Sequence, residues 1–444
     1  MKIDKGFAAL LLESSKKKGA DLAEVYMKSS KNVAVEVREQ EVDSTESSMD
    51  FGYSLRIIKD RRLGFSFSTM REDAARVIED ALEASRWVEQ DDRLDLPSPQ
   101  EHPAISIYDD AVASLGRETA LTKALAVEKA ALDFDPRIRK VRKASASFSS
   151  RDVLIMNSKG LEKAYSATSC AGQITVVAED GGDSQMGWDF DGSRFLRNLS
   201  FEDVGRNAAR RALQLLGARK MDTAKSRVIL DNSVAVEFLG IFASLLSSEA
   251  VQKGKSLLAK RMNEEVISPL VSIVDDGCIE GRLGSRPFDD EGVAASRKYL
   301  IQDGMLRGYM YNTYTANKDG LVSTGNAVRG GFMTLPAVGP LNLSIEVSPS
   351  YVCRGEVSAL VEKGLYVTDA MGIHTANPVS GEFSIGVSGL WLENGSVKQA
   401  VKEAVISGNI LDFFRKVEAA GDDVRFYGNM ASPSLVIGPT DISA

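Results

Sequence analysis

Two histidines, His102 and His374, are all the imidazole in this chain of 444 residues, so a histidine-rich metal centre cannot be built from it alone. His374 lies in the most informative run, residues 372–395. There Phe383, Ile385 and Val387 alternate with Ser384, Gly386 and Ser388, which predicts a strand with one buried face and one small, open face. Small residues leave room for another backbone. Asn377-Pro378 and Ser380-Gly381 supply turn chemistry before that strand, and Glu393-Asn394-Gly395 a hairpin turn after it. His374 is therefore expected on a loop, with Asn377, Ser380, Glu382 and Ser384 as candidate contacts to a bound chain. A lone loop histidine has the capability for proton transfer or binding; the plainer role is a solvated side chain. A second polar tract holds Tyr314, Thr324, Asn326 and Arg329, several donors and one fixed cation, suited to a peptide backbone or carboxylate. It reads equally as a well-capped surface loop.

Other chemistries lack their motifs. The chain has no HExxH, no CxxC pair, no EF-hand loop, no P-loop lysine and no Rossmann glycine spacing. Asp275-Asp276 and Asp289-Asp290-Glu291 could hold a hard cation, but acids before glycine are commonly turn formers. Ser380 or Ser384 with His374 and Asp369 or Glu382 would make an autonomous hydrolase, an alternative that no GxSxG elbow supports. Cys170, Cys278 and Cys353 are odd in number and far apart, as expected of free thiols in a reducing compartment. The net charge of −8, with basic residues scattered among acids, disfavours a grip on nucleic acid. The early apolar stretch at 7–12 is too short for a signal h-region, and no long apolar run follows, so a cytoplasmic protein without membrane attachment is expected.

The elements that must position these residues follow an α+β pattern. Residues 1–95 read as helix, four strands (24–28, 33–38, 51–59 and 63–68) and a helix opened by a capping box at Thr69-Met70-Arg71-Glu72. Proline-rich residues 95–103 form the best linker. Residues 96–224 repeat the order: a helix over 109–132, strands near 140–148, 153–157, 164–169 and 173–178, and a helix over 200–216. This is either a duplicated unit or a chance recurrence. Residues 225–444 read as one helix over 234–246 followed by a mostly β domain with hairpin turns at Asp275-Asp276-Gly277, Asp289-Asp290-Glu291-Gly292, Gln302-Asp303-Gly304 and Glu393-Asn394-Gly395.

Taken together, Tyr314-Thr315-Ala316, Ser323-Thr324-Gly325-Asn326-Ala327, Pro340-Leu341-Asn342-Leu343, Gly372-Ile373-His374, Asn377-Pro378, Ser380-Gly381-Glu382-Phe383-Ser384 and Ile406-Ser407-Gly408-Asn409 closely resemble the TldD/PmbA family, within it the PmbA branch, also called TldE. The resemblance runs over essentially the whole chain and is strongest after Lys225. It implies a zinc metalloprotease assembly, associated with peptide maturation and antitoxin turnover, in which a TldD-like paralogue carries a His-Glu-x-x-x-His helix. The matching helix here, around 240–245, has no metal ligands. The resemblance therefore implies a subunit with no cofactor of its own and no catalytic residue. Its zinc would reside in the partner of a heterodimer, and it would help bind unfolded peptide. Isolated, the chain is expected to form a homodimer through the same surface. The family's older label, modulator of DNA gyrase, sits poorly with the acidic balance. A non-catalytic protein-interaction module remains the third alternative.

Overall fold

The computed structural model describes residues 3–353 and 357–443. Its N-terminal half is built from α1 (Lys5–Lys17), β1 (Leu22–Arg38), β2 (Glu41–Lys59), β3 (Arg62–Ser68), α2 (Ala74–Arg86), α3 (Asp110–Ser114), α4 (Arg117–Leu132), β4 (Ile138–Asn157), β5 (Glu162–Asp180), β6 (Asp183–Ser193) and α5 (Phe201–Leu213). The six strands form one antiparallel sheet in the order β3-β2-β1-β4-β5-β6. Residues expected in two successive units thus meet along the β1–β4 pairing, and the order reads outward from that seam as 1-2-3 on each side. A matching close contact recurs on both edges. A Cβ at Gly64 of β3 would lie 2.0 Å from the Ala81 carbonyl of α2, and one at Gly187 of β6 would lie 2.2 Å from the Ala208 carbonyl of α5. In each half, the helix following the third strand rests directly on a glycine of that strand.

The sequence pattern broke the strands too often. Residues 24–28 and 33–38 belong to the single strand β1, 140–148 and 153–157 to β4, and 164–169 and 173–178 to β5. The polar stretch Ser29-Ser30-Lys31-Asn32 looked like a break. It pairs instead with Asp152, Arg151, Ser150 and Ser149 of β4 without loss of register. The stretch is polar because it lies between two apolar clusters. Val25, Met27, Leu55 and Ile78 pack at one end of the sheet, and Val33, Val35, Val127 and Phe201 at the other. The helix expected over 109–132 is interrupted at Leu115-Gly116, and β6 was not anticipated. The Thr69 capping box is replaced by Ser68, whose hydroxyl accepts from Met70 N and donates to Asp73 in a 3-10 turn before α2.

The remaining chain runs β7 (Ala224–Leu230), α6 (Asn232–Leu245), α7 (Ser248–Gln252), β8 (Val271–Asp276), β9 (Arg297–Gln302), β10 (Met305–Leu306), α8 (Thr313–Asp319), β11 (Ala327–Val328), β12 (Ala337–Val338), β13 (Leu343–Val347), β14 (Val352–Cys353), β15 (Lys363–Met371), β16 (Glu382–Glu393), β17 (Ser396–Asn409), α9 (Ile410–Arg415), β18 (Val417–Gly421), β19 (Arg425–Tyr427), β20 (Met430–Ser432) and β21 (Leu435–Ser443). This is the mostly β region expected. β15, β16, β17 and β21 follow one another in a sheet, and β7 pairs with both β15 and β21, closing the ring. Phe238 and Phe242 of α6 fill its core against Phe383, Phe413 and Phe414, with ring centroids 4.8–6.2 Å apart. Asp303-Gly304 and Asn394-Gly395 take positive φ, as two-residue hairpin turns require. Asp275 is no turn former: it is fully buried in β8 and meets Lys298, Asn326 and the Leu341 N–H. No helix among the described residues is long and apolar enough to cross a membrane.

Buried polar groups join the two halves. Arg56 of β2 bonds Glu24 of β1 and Glu291, and Arg329 bonds Glu24 at 2.6 Å. Arg194, just beyond β6, donates to the carbonyls of Thr168, Arg282, Leu283 and Ser285. Arg425 of β19 reaches Asp189 of β6 at 2.8 Å.

Candidate functional site

α6 has two unlike faces because its apolar residues recur at helical spacing. Val234, Phe238, Leu239, Phe242 and Leu245 are buried in the β-ring core, whereas Glu237, Gly240, Ile241 and Ser244 are only partly covered. Its N-terminus is held firmly. Asp231 accepts from Ser233 N and Oγ, from Arg211 and from the Tyr366 hydroxyl, and Tyr427 bridges Arg211 to Asn232. Glu237, the helix's lone charged residue, was passed over in the sequence. Its signal there was a single acid inside an otherwise apolar helix. Partial burial pushes its carboxyl up to about 7, with the charge of Asp369 on β15 adding to the effect. Asp369 is itself raised by burial, against the opposing influence of Trp188 and Arg211. Burial first, and the Asp369 charge second, favour Glu237 holding its proton near neutrality.

The sign of the consequence is fixed. A folded carboxyl that holds its proton up to about 7, against an ordinary 4.5, makes stability fall as pH rises from about 4.5 to about 7. Glu237→Gln should remove that slope. After discounting for its partial exposure, the variant should be more stable than the parent by on the order of 1 kcal/mol at pH 8, with little difference near pH 5. Urea unfolding at the two pH values measures this, and equal pH slopes would contradict it.

Along the same face of α6, Ala243, Ser244 and Ser247 border an open groove of ≈390 Å³ whose opposite wall is Val338 and Pro340 and whose end carries Lys253 and Lys255. A Cβ at Gly240 would meet no atom within 4 Å. The chain beyond Lys255 ties this groove to the loop preceding β16. Ser256 Oγ donates to Leu245 O, and Leu257 N to Pro378 O at 3.3 Å.

That loop and the start of β16 carry five of the candidates. His374 lies in a 3-10 turn, Ile373–Thr375, whose Ile373 packs on the core; its side chain is outside the described residues. Asn377 accepts the N–H groups of Val379 and Ser380, and the Ser380 hydroxyl accepts Glu382 N, so both side chains shape the turn while remaining exposed. Asn409 of β17 bonds Ser380 O and reaches Glu382. Along β16 the expected alternation is present: Phe383, Ile385 and Val387 are buried, and Ser384 is exposed. The strand's edges are paired over most of its length, however. β17 pairs along the whole of β16 and β15 pairs with its Gly386–Glu393 part, so a further backbone has the Ser384–Gly386–Ser388 face and the short edge at residues 382–385 to meet.

The other four candidates have different neighbours. Tyr314 lies on α8, behind an Asn312–Thr315 capping box, and donates to Asp91. Thr324 accepts Tyr311 N and donates to Asn326; Asn326 is fully buried and donates to Asp275 and Gly339 O. Arg329 is committed to Glu24 and the Asp290 and Thr334 carbonyls and lies over the Tyr26 ring. The Tyr314 and Arg329 contacts join the two halves of the molecule, whereas those of Thr324 and Asn326 stay within the C-terminal half.

Comparison with known proteins follows the same division of the chain. Residues 23–85 match the PmbA/TldA metallopeptidase domain 1, residues 110–216 its central domain and residues 223–444 its C-terminal domain. The chain belongs to the PmbA/TldD family. The Metalloprotease PmbA of Escherichia coli O157:H7 is 28% identical over 436 residues, covering 97% of this chain and 93% of that protein. A Thermotoga maritima MSB8 protein, described as a candidate modulator of a DNA gyrase, superposes with a TM-score of 0.90 at 25% identity, covering 99% of this chain and 100% of that one. TldE of Thermococcus kodakarensis has the same fold, with a TM-score of 0.88 at 21% identity over 99% of this chain and 100% of that one.

A metallopeptidase site needs three protein donors and an open position. α6 supplies one carboxylate, Glu237, and no imidazole or thiol. Asp369 is the acid whose charge reaches Glu237, and no group of three candidate ligands occurs among the described residues. His102 packs against Phe288 in another cluster. The donor set on α6 does not fit catalytic zinc.

Proposed function

We propose that this chain is the metal-free subunit of a TldD-type metalloprotease assembly and that the α6 groove, with the loop and strand from Gly372 to Trp391, forms part of the path for an unfolded peptide. The observation that carries this reading is α6 itself. It keeps a rigidly capped helix with one open, small-residue face, yet Val236, Leu239 and Ile241 stand beside Glu237 where ligands would be needed. In this reading hydrolysis takes place at zinc carried by a TldD-like partner. The small face of β16 and the donors of the Asn377–Gly381 turn hold substrate backbone. The location is cytoplasmic, and the isolated chain forms a homodimer that the partner displaces.

The test is reconstitution. The chain alone, a TldD-like paralogue from the same genome alone, and the mixture are assayed on an unfolded protein, with metal content and mass measured for each. The expected result is cleavage by the mixture that a chelator abolishes, no cleavage by this chain, and zinc only with the partner. Chelator-resistant cleavage by this chain, together with labelling of Ser380 or Ser384 by a covalent serine probe, would transfer the activity to the autonomous-hydrolase reading.

A further inference from the structure

A second cavity lies far along the chain from the α6 groove, where the N-terminal sheet meets the β11–β12 hairpin. It holds ≈400 Å³, within the range of small-ligand sites. Ile58 and Leu63 of the sheet, Leu94 of the strap that follows α2, Leu335 of the hairpin tip and the Tyr314 ring give it mainly apolar walls. The hairpin tip is fastened on both sides of its glycine pair: Arg329 by Glu24, and Phe332 by packing over Gly52 and beside Phe67, with ring centroids 6.2 Å apart. The wall bearing Leu335 is thus held in place by contacts that do not involve the cavity. Three carboxylates, Glu89, Asp91 and Asp95, line it against one cation, Arg56. Arg56 is already balanced, its Nε and Nη2 on Glu24 and its Nη1 on Glu291. Asp95 is met by Lys159, and Asp91 accepts from the Tyr314 hydroxyl. Glu89 is exposed and forms no ion pair among the described residues. Lys318, over the Tyr314 ring at 5.2 Å, and Arg93 act on Asp91 from outside the lining, which leaves Glu89 as the carboxylate most open to a cation. An apolar chamber with an acidic lining is complementary to one kind of small molecule.

We propose that this cavity binds an amine: an aromatic or branched aliphatic body enters between Leu63, Leu94 and Leu335, and its ammonium stands against Glu89 and Asp91. The ammonium can belong to a free small amine or to the N-terminus of a peptide whose first residue is bulky and apolar. The assignment is independent of the reconstituted protease, because it concerns this chain alone and a different part of its surface.

The experiment uses the full chain and four probes: phenethylamine, 2-phenylethanol, phenylacetate and the tripeptide Phe-Gly-Gly amide, each followed by ligand-observed NMR and by titration. Phenethylamine should bind about fivefold more tightly than the alcohol, the worth of one partly exposed ion pair, and phenylacetate more weakly still. Glu89→Gln should collapse the difference between amine and alcohol. Val88→Trp, at a 45% exposed position on the lining, should fill the cavity without disturbing a core and abolish binding of all probes. Binding of the tripeptide assigns the peptide N-terminus; binding of phenethylamine without it assigns the small amine. Equal affinity for amine, alcohol and acid, absence of binding by both amines, or unchanged binding in Val88→Trp would overturn the proposal.

Discussion

Glu24→Ala should destabilise the protein by about 3–5 kcal/mol, the range for removing one partner of a buried ion network. Glu24 is 1% exposed and carries two guanidinium groups at once: Arg56 through both carboxylate oxygens, at 3.1 and 2.6 Å, and Arg329 at 2.6 Å. Its loss leaves Arg56 with Glu291 alone and the Arg329 guanidinium with only the Asp290 and Thr334 carbonyls, in a place where neither cation regains water. The network spans the seam between the N-terminal sheet and the C-terminal half, so the damage should appear there first. Chemical denaturation of the variant should split into two transitions, and limited proteolysis should separate the halves. High salt should change the parent's stability little, because screening reaches buried pairs poorly. Recovery should require all four charges, Glu24, Arg56, Glu291 and Arg329, to be exchanged for apolar side chains, since replacing Glu24 and Arg56 alone leaves Glu291 and Arg329 buried without their charge partners. A cost below about 1 kcal/mol for Glu24→Ala would show that the network behaves as a solvated surface pair.

Neither Glu24 nor Arg56 stood out in the sequence, and the reason is physical. A charged residue inside a strand of alternating pattern reads as an outward-facing position, and only the docking of a second layer converts outward into buried. Arg329 shows the converse. Its planar fork was correctly noticed as a device for binding carboxylates, but the carboxylate belongs to Glu24, 305 positions away. The β16 alternation was legible because a strand's period is local, and Asn394-Gly395 was legible because a hairpin turn is chosen by its own two residues. The closure of β7 onto β21 was not, since nothing in residues 224–230 names a partner more than two hundred positions downstream. The same limit divided β1 and β4. Ser29 to Asn32 are polar for want of a helix above them, and local composition cannot distinguish an uncovered stretch of strand from a loop. Glu237 is illegible for a different reason: a single acid in an apolar helix reads as an exposed position until the fold sets Asp369, 132 positions away, near it.

Gly240→Trp should reduce peptide cleavage by the reconstituted assembly at least about tenfold, because a ring placed over the α6 groove displaces substrate from its aligned position. The choice of residue rests on what a glycine costs there. Gly240 sits in the interior of a 14-residue helix, where glycine is worse than alanine by about 0.5–1 kcal/mol. No turn requires it, since its φ is not among the positive ones, and no neighbour crowds it, since a Cβ there would point into open space. Gly240→Ala should therefore raise stability by about that amount, and Gly240→Trp should fold, because the added ring meets the groove beside Ala243 and Ser244 rather than the Phe238–Phe242 core. Mass measurement separates the two ways in which activity could fall. If Gly240→Trp still assembles with the zinc-bearing partner and cleavage drops, the groove is on the substrate path. If assembly itself fails, the open face of α6 is the partner's seat and the peptide runs elsewhere. Cleavage at the parental rate by an intact mixed assembly would remove the groove from the mechanism, leaving the destabilising glycine of α6 without a function.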